Sequence, residues 1–138
     1  MKVEKAGCIL IDIKNKKIGL IYRKKQNDYS FPKGHREDGE TLAECAIRET
    51  AEETKRECIL YSDNPIAKEY YFDSKNDEVD MYYFIGIDNG KSNNYSLDTH
   101  DLIWTPVEDV EDKLSYDSLK KVWREVKKQI LNIINKMR

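Results

Sequence analysis

Three glutamates placed within five residues constrain this chain more than any other feature. Glu49, Glu52 and Glu53 stand at positions i, i+3 and i+4, and in an α-helix, which turns about 100° per residue, these side chains share one face. The surrounding segment, from Leu42 to about Thr54, is rich in good helix formers. The sequence therefore predicts a helix that carries three carboxylates on one side.

The start of this helix is marked by its own pair of residues. Thr41 is a typical N-cap residue, and Glu44 follows it three positions later. This spacing predicts a capping box, in which each side chain bonds the backbone N–H of the other residue. The helix is therefore expected to begin directly after Thr41.

The acidic face of the helix has two interpretations. Like charges at this spacing repel by a few tenths of a kcal/mol per pair, so a divalent cation bound among them would explain their placement, and oxygen ligands favour Mg²⁺ or Mn²⁺ over zinc. Alternatively, the helix is a solvated one stabilised by ion pairs four residues apart. Those pairs would be Glu44–Arg48, Arg48–Glu52 and Glu52–Arg56.

A longer pattern around the glutamates favours the metal-binding interpretation. Six of its positions are Gly34, Glu40, Arg48, Glu49, Glu52 and Glu53. Their spacing resembles the Nudix box, G-x5-E-x7-R-E-U-x-E-E-x-G-U, in which U is apolar. With average residue usage, six such matches arise by chance in a chain of this length roughly once in 10⁵.

The resemblance implies a role for each of these residues. By it, Mg²⁺, with Mn²⁺ as a possible substitute, would be bound by the Gly34 carbonyl and by Glu49, Glu52 and Glu53. It further implies that Arg48 orients a box glutamate with help from Glu40.

Three box positions depart from the family pattern. Thr50 and Arg56 stand where apolar residues are usual, and Lys55 replaces the usual glycine. A glycine there would end the helix in a left-handed conformation. Lys55 is therefore expected either to adopt the same geometry at a cost of about 1 kcal/mol or to let the helix continue.

The rest of the chain alternates strand and turn signals before a final amphipathic helix. Strands are predicted at residues 6–11, 18–22, 58–61, 66–72, 79–87 and 103–106, with a loop at 88–96. A short helix is predicted at 107–114. A long helix is predicted to start at Asp117 or Ser118 and to carry Trp123 on its apolar side. The resemblance covers nearly all of this and implies one Nudix domain over residues 1–138, with the box at 34–56. The expected fold class is α+β, an α/β/α sandwich with a mixed sheet between helices.

Two features narrow the resemblance to a subfamily. The lead-in Pro32-Lys33-Gly34-His35 resembles that of diadenosine tetraphosphate hydrolases and of diphosphoinositol polyphosphate phosphohydrolases. Asp98, six residues before Trp104, resembles an acidic residue of the first group, where glutamate is commoner. Asp98 is therefore a candidate metal ligand or general base, with a solvated loop acid as the alternative.

Further side chains are candidates for contact with the substrate. Cations near the box that could contact phosphates are Lys33, Arg23, His35 and Arg36. Tyr82 and Tyr83 are adjacent in one predicted strand and so point to opposite faces of it. We take Tyr83 as the candidate to stack on a base, with a core tyrosine as the alternative.

Composition excludes several classes of partner. The 24 Lys and Arg residues nearly balance 26 Asp and Glu residues, and a formal charge of −2 gives no global attraction to nucleic acid or to an anionic membrane. Three cysteines without zinc or disulfide spacing, and the lack of a long apolar segment, favour a reducing, cytoplasmic location. A small nucleotide or polyphosphate is the expected partner, and the chain is a monomer or a homodimer.

Three functional hypotheses follow. By the resemblance, the chain hydrolyses phosphoric anhydride bonds in nucleoside diphosphate-linked compounds, with dinucleoside polyphosphates such as diadenosine tetraphosphate as substrates. An alternative substrate class is a nucleoside triphosphate, as in the pyrophosphatases that act on 8-oxo-dGTP. The other two hypotheses are a non-catalytic Nudix-fold nucleotide-binding module, which the intact glutamates disfavour, and a structural domain with an accidental match.

Overall fold

A mixed sheet of eight strands lies between two long helices in the computed structural model, which describes residues 1–93 and 100–138. This confirms the predicted α/β/α sandwich. The strands are β1 (Lys2–Asp12), β2 (Lys17–Arg23), β3 (Asp28–Ser30), β4 (Gly34–His35), β5 (Arg56–Leu60), β6 (Ala67–Phe72), β7 (Glu78–Ser92) and β8 (His100–Pro106). The helices are α1 (Leu42–Thr54), α2 (Val110–Lys113) and α3 (Asp117–Met137), with a 3₁₀ turn at Val107–Asp109 before α2.

Strand β1 occupies the centre of the sheet and has different neighbours on its two edges. It runs parallel to β7, in register from Lys2 opposite Glu78 to Ile11 opposite Ile87. Its other edge pairs antiparallel first with β4 and then, from Leu10 onward, with β2. Within the described chain, the stretch 7–9 between them has no strand partner on this edge.

The segment that leads into the box helix rests on this part of β1. The α-carbon of Gly7 lies against the carbonyl of Pro32 and the side chain of Lys33, and a Cβ at this position would overlap both. A glycine at position 7 therefore lets the segment approach the sheet closely.

Helix α1 packs on one face of the sheet and matches the predicted helix in extent. Its N-terminus has the predicted capping box, with Thr41 Oγ1 accepting from the N–H of Glu44 and Glu44 Oε1 accepting from the N–H of Thr41. It ends at Lys55, which adopts a left-handed conformation with φ of 61°. Lys55 thus takes the first of its two expected geometries. The core beneath α1 contains Ala6, Cys8, Leu10, Cys45, Ala46, Cys58 and Phe84, and its three cysteines are free thiols.

Helix α3 packs on the opposite face and supplies much of the larger core. Its apolar side includes Trp123, which is fully buried, as expected for core packing. The predicted cap at Asp117 or Ser118 is wrong by one or two residues, because the N-cap is Tyr116 and no side chain bonds the helix start. No helix of the two described ranges is long and apolar enough to cross a bilayer.

The loop predicted at residues 88–96 is wrong for its first part. Strand β7 continues to Ser92 because β5 pairs with it, with Arg56 opposite Ser92 and Cys58 opposite Asp88. This pairing partner lies 30 residues or more away in the chain, so the local Asn-Gly signal did not reveal it. Residues 94–96 of that predicted loop lie outside the described part of the structure.

Candidate active site

Arg48 connects the charged residues of α1 to the loop before the helix. Its Nε and Nη2 donate to both carboxylate oxygens of Glu40 at 2.6 and 3.0 Å. Its Nη1 donates to Glu49 at 3.0 Å and to both oxygens of Glu52 at 3.3 Å. Nη2 also donates to the carbonyl of His35 at 2.9 Å. One guanidinium thus holds two box carboxylates beside each other, where their charges alone would separate them.

The solvated-helix interpretation is wrong for most of its pairs. Of the three ion pairs that it requires, only Arg48–Glu52 is present among the described contacts. Glu44 caps the helix, and Arg56 pairs with Asp88 at 2.7 Å. The charges of this face are therefore organised around Arg48.

The same contacts perturb the acid–base properties of the site. Hydrogen bonds from Arg48 lower the pKa of Glu40 from 4.5 to about 2, and the Glu40 carboxylate raises the pKa of Arg48. Burial raises the pKa of Glu49, although the charge of Arg48 acts in the opposite direction. Glu49 is thus a partly buried carboxyl beside a cation that favours its ionised form.

Glu53 faces the segment that leads into the box. Its Oε1 accepts from the backbone N–H of Lys33 at 3.1 Å, and its Oε2 lies 3.9 Å from Nδ1 of His100. The next residue, Gly34, lies with its α-carbon against the Glu49 carboxylate, and a Cβ there would overlap that carboxylate. The absence of a side chain at position 34 therefore makes room for Glu49.

The donor set of this face suits a hard divalent cation. Glu49, Glu52 and Glu53 lie on one side of α1, the α-carbon of Gly34 is next to Glu49, and the Glu52 side chain is 41% exposed. Carboxylate and carbonyl oxygens are the ligands that Mg²⁺ and Mn²⁺ prefer. In the arrangement described for residues 1–93 and 100–138, no three acidic, His or Cys side chains converge on one point. Glu49 and Glu52 are turned toward Arg48, and Glu53 toward Lys33.

A cavity of about 240 Å³ opens beside this face and shares Lys33 with it. It is lined by Arg23, Ser30, Lys33, Glu69, Tyr71, Tyr116, Ser118 and Leu119, and we call it the cleft. Among the described residues, no carboxylate lies within ion-pair distance of the Lys33 ammonium. Burial, and then the charge of Lys5, lowers the pKa of Lys33. The cleft therefore contains a partly buried cation that has no direct ion pair among the described residues.

The second cation of the cleft is held in place by a buried acid. Arg23 donates to both oxygens of Asp28 at 2.7 and 2.5 Å, and Asp28 also accepts from the hydroxyl of Tyr116. This network ties the end of β2 to the residue that precedes α3. Arg23 is thus fixed in the cleft wall, with its charge largely paired.

The other predicted substrate contacts are distributed differently. His35 is exposed on β4, whereas Arg36 pairs with Glu4 at 2.9 Å and donates to the carbonyls of Glu37 and Glu40. Arg36 therefore supports the loop that carries Glu40. Asp98 lies outside the described residues.

The prediction that Tyr83 stacks on a base is wrong, because Tyr83 is buried. Its relative exposure is 0%, and its ring packs edge-on against Phe31 in the core on the α3 side. A ring without accessible surface cannot stack on a base in this conformation. Its hydroxyl donates to Glu69, one of the residues that line the cleft.

Several residues that border the site were not singled out from the sequence. They are Asp28, Glu69, Tyr71, His100 and Tyr116. The alternation of β6 places Glu69 and Tyr71 on the same face. Nothing local to β6 indicates that this face meets Lys33 and the start of α3.

Comparison with known proteins agrees with this geometry. The chain is 32% identical over 103 residues to a putative mutator protein MutT4 of Mycobacterium tuberculosis, an alignment that covers 72% of this chain. The chain spans about two fifths of that relative's length, with 41% covered.

Solved structures show the same fold at low sequence identity. A Caenorhabditis elegans Ap4A hydrolase in a binary complex has a TM-score of 0.77 at 21% identity, with 94% of this chain and 98% of that chain covered. A NUDIX hydrolase from Nitrosomonas europaea has a TM-score of 0.74 at 16% identity, with 91% and 88% covered. The family model for the NUDIX domain matches residues 1–126. The chain therefore belongs to the NUDIX domain family.

Proposed function

We propose that this chain is a metal-dependent hydrolase of phosphoric anhydride bonds in nucleoside diphosphate-linked compounds, and that its substrates are dinucleoside polyphosphates such as diadenosine tetraphosphate. The observation that carries the proposal is the position of Lys33. Its N–H donates to Glu53 on the acidic face of α1, while its side chain lines the cleft beside that face. One residue thus connects a set of hard oxygen donors to a place for an anionic substrate.

The box residues have distinct tasks in this proposal. Glu49, Glu52, Glu53 and the Gly34 carbonyl hold Mg²⁺, with Mn²⁺ as a substitute. The bound cation supplies positive charge to the anhydride oxygens and makes water a better nucleophile. Arg48, itself fixed by Glu40, keeps Glu49 and Glu52 close together before the cation binds.

The cleft residues bind the part of the substrate that is not cleaved. The Lys33 ammonium offsets the charge of phosphates beyond the cleaved bond, and Arg23 provides a second, more rigid donor. His35 is at the exposed end of this segment, where it can contact a further phosphate. Asp98 remains a candidate for a metal ligand or the general base.

The length of the polyphosphate separates the two substrate classes. A cation placed beyond the acidic face is used fully only by a long polyphosphate, because a shorter one ends near the cleaved bond. The structural similarity to an Ap4A hydrolase supports the dinucleoside class. The similarity to a putative mutator protein favours the second candidate, a nucleoside triphosphate pyrophosphatase of the 8-oxo-dGTP type.

A substrate screen with product analysis tests the proposal. Nucleoside triphosphates, dinucleoside polyphosphates and nucleotide sugars are each incubated with the chain in the presence and absence of Mg²⁺. We expect diadenosine tetraphosphate to give a triphosphate and a monophosphate, with a kcat/KM above that for dGTP or 8-oxo-dGTP. Faster cleavage of a triphosphate to a monophosphate and pyrophosphate would support the second candidate. Nucleotide binding without any Mg²⁺-dependent product would identify a binding module instead.

A further inference from the structure

The wall of the cleft formed by β6 carries a carboxylate that the proposed hydrolysis does not use. Glu69 lines the cleft, and one of its oxygens accepts from the hydroxyl of Tyr83. Among the described residues its other oxygen has no hydrogen-bond donor. A carboxylate is only an acceptor, so this oxygen is available to a ligand that offers N–H or O–H groups.

The charges of the cleft divide it into two regions. Lys33, beside the box helix, and Arg23, beside the start of α3, attract phosphate, whereas Glu69 repels it from its part of the β6 wall. A bound nucleotide therefore places its phosphates near Lys33 and its uncharged part near Glu69. The volume of about 240 Å³ is below the range of about 300–1,000 Å³ for pockets that enclose a drug-sized ligand. The cleft thus has room for one part of a nucleotide.

The remaining surface near Glu69 suits a flat heterocycle. Tyr71 stands two residues along the same face of β6, with the Lys5 ammonium 5.9 Å from its ring centroid, and Leu119 at the start of α3 also lines the cleft. An aromatic ring and an aliphatic side chain beside one fixed acceptor are typical of sites that bind a base by packing and orient it by hydrogen bonds.

We infer that the cleft is a nucleobase subsite in which Glu69 accepts hydrogen bonds from the Watson–Crick edge of guanine. Guanine offers two neighbouring donors there, N1–H and the 2-amino group. Glu69 can accept from both, one at its free oxygen and one at the lone pair that the Tyr83 hydroxyl leaves on the other oxygen. Adenine offers a single amino group beside an acceptor nitrogen, and hypoxanthine offers only N1–H. The inference rests on the proposed function for the presence of a nucleotide. Within either substrate class it favours the guanine compound, so diguanosine tetraphosphate is expected to be a better substrate than diadenosine tetraphosphate.

Tyr83 acquires a role in this arrangement. Burial raises the pKa of Tyr83 well above its ordinary value, so its hydroxyl remains a donor at neutral pH. Because the Tyr83 ring is buried in the core, its hydroxyl holds the Glu69 carboxylate in one position. Tyr83 is thus a positioning residue for base selection.

Equilibrium binding without turnover tests the subsite. The affinities of GTP, ITP, ATP and dGTP are measured in the presence of a chelator for the unmodified protein, for Glu69→Gln and for Glu108→Gln. Glu108 is an exposed glutamate on the 3₁₀ turn and is the matched control. We expect GTP to bind at least about tenfold more tightly than ITP or ATP, a preference that Glu69→Gln reduces to within about threefold and Glu108→Gln retains.

Other results of these binding measurements would contradict the proposed subsite or a part of it. Equal affinities for GTP, ITP and ATP in the unmodified protein would overturn the subsite. A preference for GTP over dGTP that disappears in Glu69→Gln would show that Glu69 reads the ribose and would overturn the base assignment. If thermal unfolding shows that Glu69→Gln does not fold, Tyr83→Phe replaces it: this variant keeps the carboxylate and is expected to weaken the guanine preference, and an unchanged preference would contradict the role of Tyr83.

The experiments can reject the subsite and the proposed hydrolysis independently of each other. Selective GTP binding without any anhydride cleavage would leave the subsite in place and reject the hydrolase. Cleavage of diguanosine and diadenosine tetraphosphate at equal kcat/KM would support the hydrolase and overturn the subsite.

Discussion

The hydroxyl of Thr50 accepts a hydrogen bond from the backbone N–H of Cys8 at 3.2 Å. Cys8 lies in the stretch of β1 that, within the described chain, has no strand partner on the edge that pairs with β4 and β2. Both Cys8 and Thr50 are buried. Thr50 therefore satisfies a donor that would otherwise be left without a partner inside the protein. This accounts for a hydroxyl at a box position that is usually apolar, and the bond ties the acidic helix to the centre of the sheet.

Removing this hydroxyl tests the value of the bond. Valine has nearly the shape of threonine but cannot accept a hydrogen bond, so Thr50→Val should lower the free energy of unfolding by about 1–3 kcal/mol. Thr50→Ser keeps the acceptor and should lose less. Urea denaturation of the three proteins measures the difference. A Thr50→Val protein as stable as the unmodified one would mean that another group satisfies Cys8.

The metal-binding role of α1 predicts a separation of activity from stability. Glu52→Gln and Glu53→Gln should each reduce turnover by at least about 10²-fold, because the amide keeps the shape but loses the charge. Thermal unfolding should change little, and Glu108→Gln should retain full turnover. Addition of a chelator should abolish activity reversibly. Parallel losses of activity and melting temperature would instead indicate a structural role for the two glutamates.

The Arg48–Glu40 pair predicts how stability changes in acid. The pKa of Glu40 is about 2 in the folded chain, against an ordinary 4.5, so folding favours the ionised form. Its contribution to stability is complete above about pH 4.5 and is lost as the pH falls toward 2. Melting temperatures measured from pH 6 to pH 2 should therefore fall less steeply for Glu40→Gln than for the unmodified chain. Identical slopes would show that the pair does not contribute.

Lys55 provides a test that concerns the backbone alone. Its left-handed conformation, with φ of 61°, is one that glycine adopts without steric cost. Lys55→Gly should therefore raise the free energy of unfolding by up to about 1 kcal/mol and leave turnover within a few-fold. A large loss of activity would show that the Lys55 side chain participates in substrate binding.

Lys33 connects the proposed chemistry to substrate length. Each charge-assisted hydrogen bond contributes about 1.5–3 kcal/mol, and the longer substrate uses more of the Lys33 charge. Lys33→Ala should therefore lower kcat/KM more for diadenosine tetraphosphate than for dGTP and so narrow the gap between them. Steady-state kinetics with both substrates measures this, and equal losses would assign Lys33 to binding near the cleaved bond.

The parts of the fold that depend on neighbouring residues were predictable from the sequence. The capping box at Thr41 and the extent of α1 follow from contacts within a few positions, and the first hairpin follows from its turn residues. The end of the helix was predicted as two alternatives, because Lys55 departs from the glycine usual at that position. Its left-handed geometry is accompanied by a bond from the N–H of Asn93 to its carbonyl, a partner nearly forty residues away.

The cleft was much less predictable because distant segments form it. Asp28 and Tyr116 are 88 positions apart in the chain, yet they bond each other and fix Arg23. The adjacent residues Tyr82 and Tyr83 were expected on opposite faces, but only the packing of α1 and α3 decides which face is which. Local patterns therefore identified the charged helix and did not identify the wall that contains Glu69.

The close approach of Pro32 and Lys33 to Gly7 restricts where this protein can change its substrate during evolution. A shift of this segment moves the amide that bonds Glu53 together with the side chain that lines the cleft, so hydrolysis and recognition would be disturbed at once. The walls formed by β6 and by the first turn of α3 lie outside the segment. Substitutions at positions such as 69, 71 and 118 can therefore alter preference for one nucleotide over another while the hydrolytic residues keep their places.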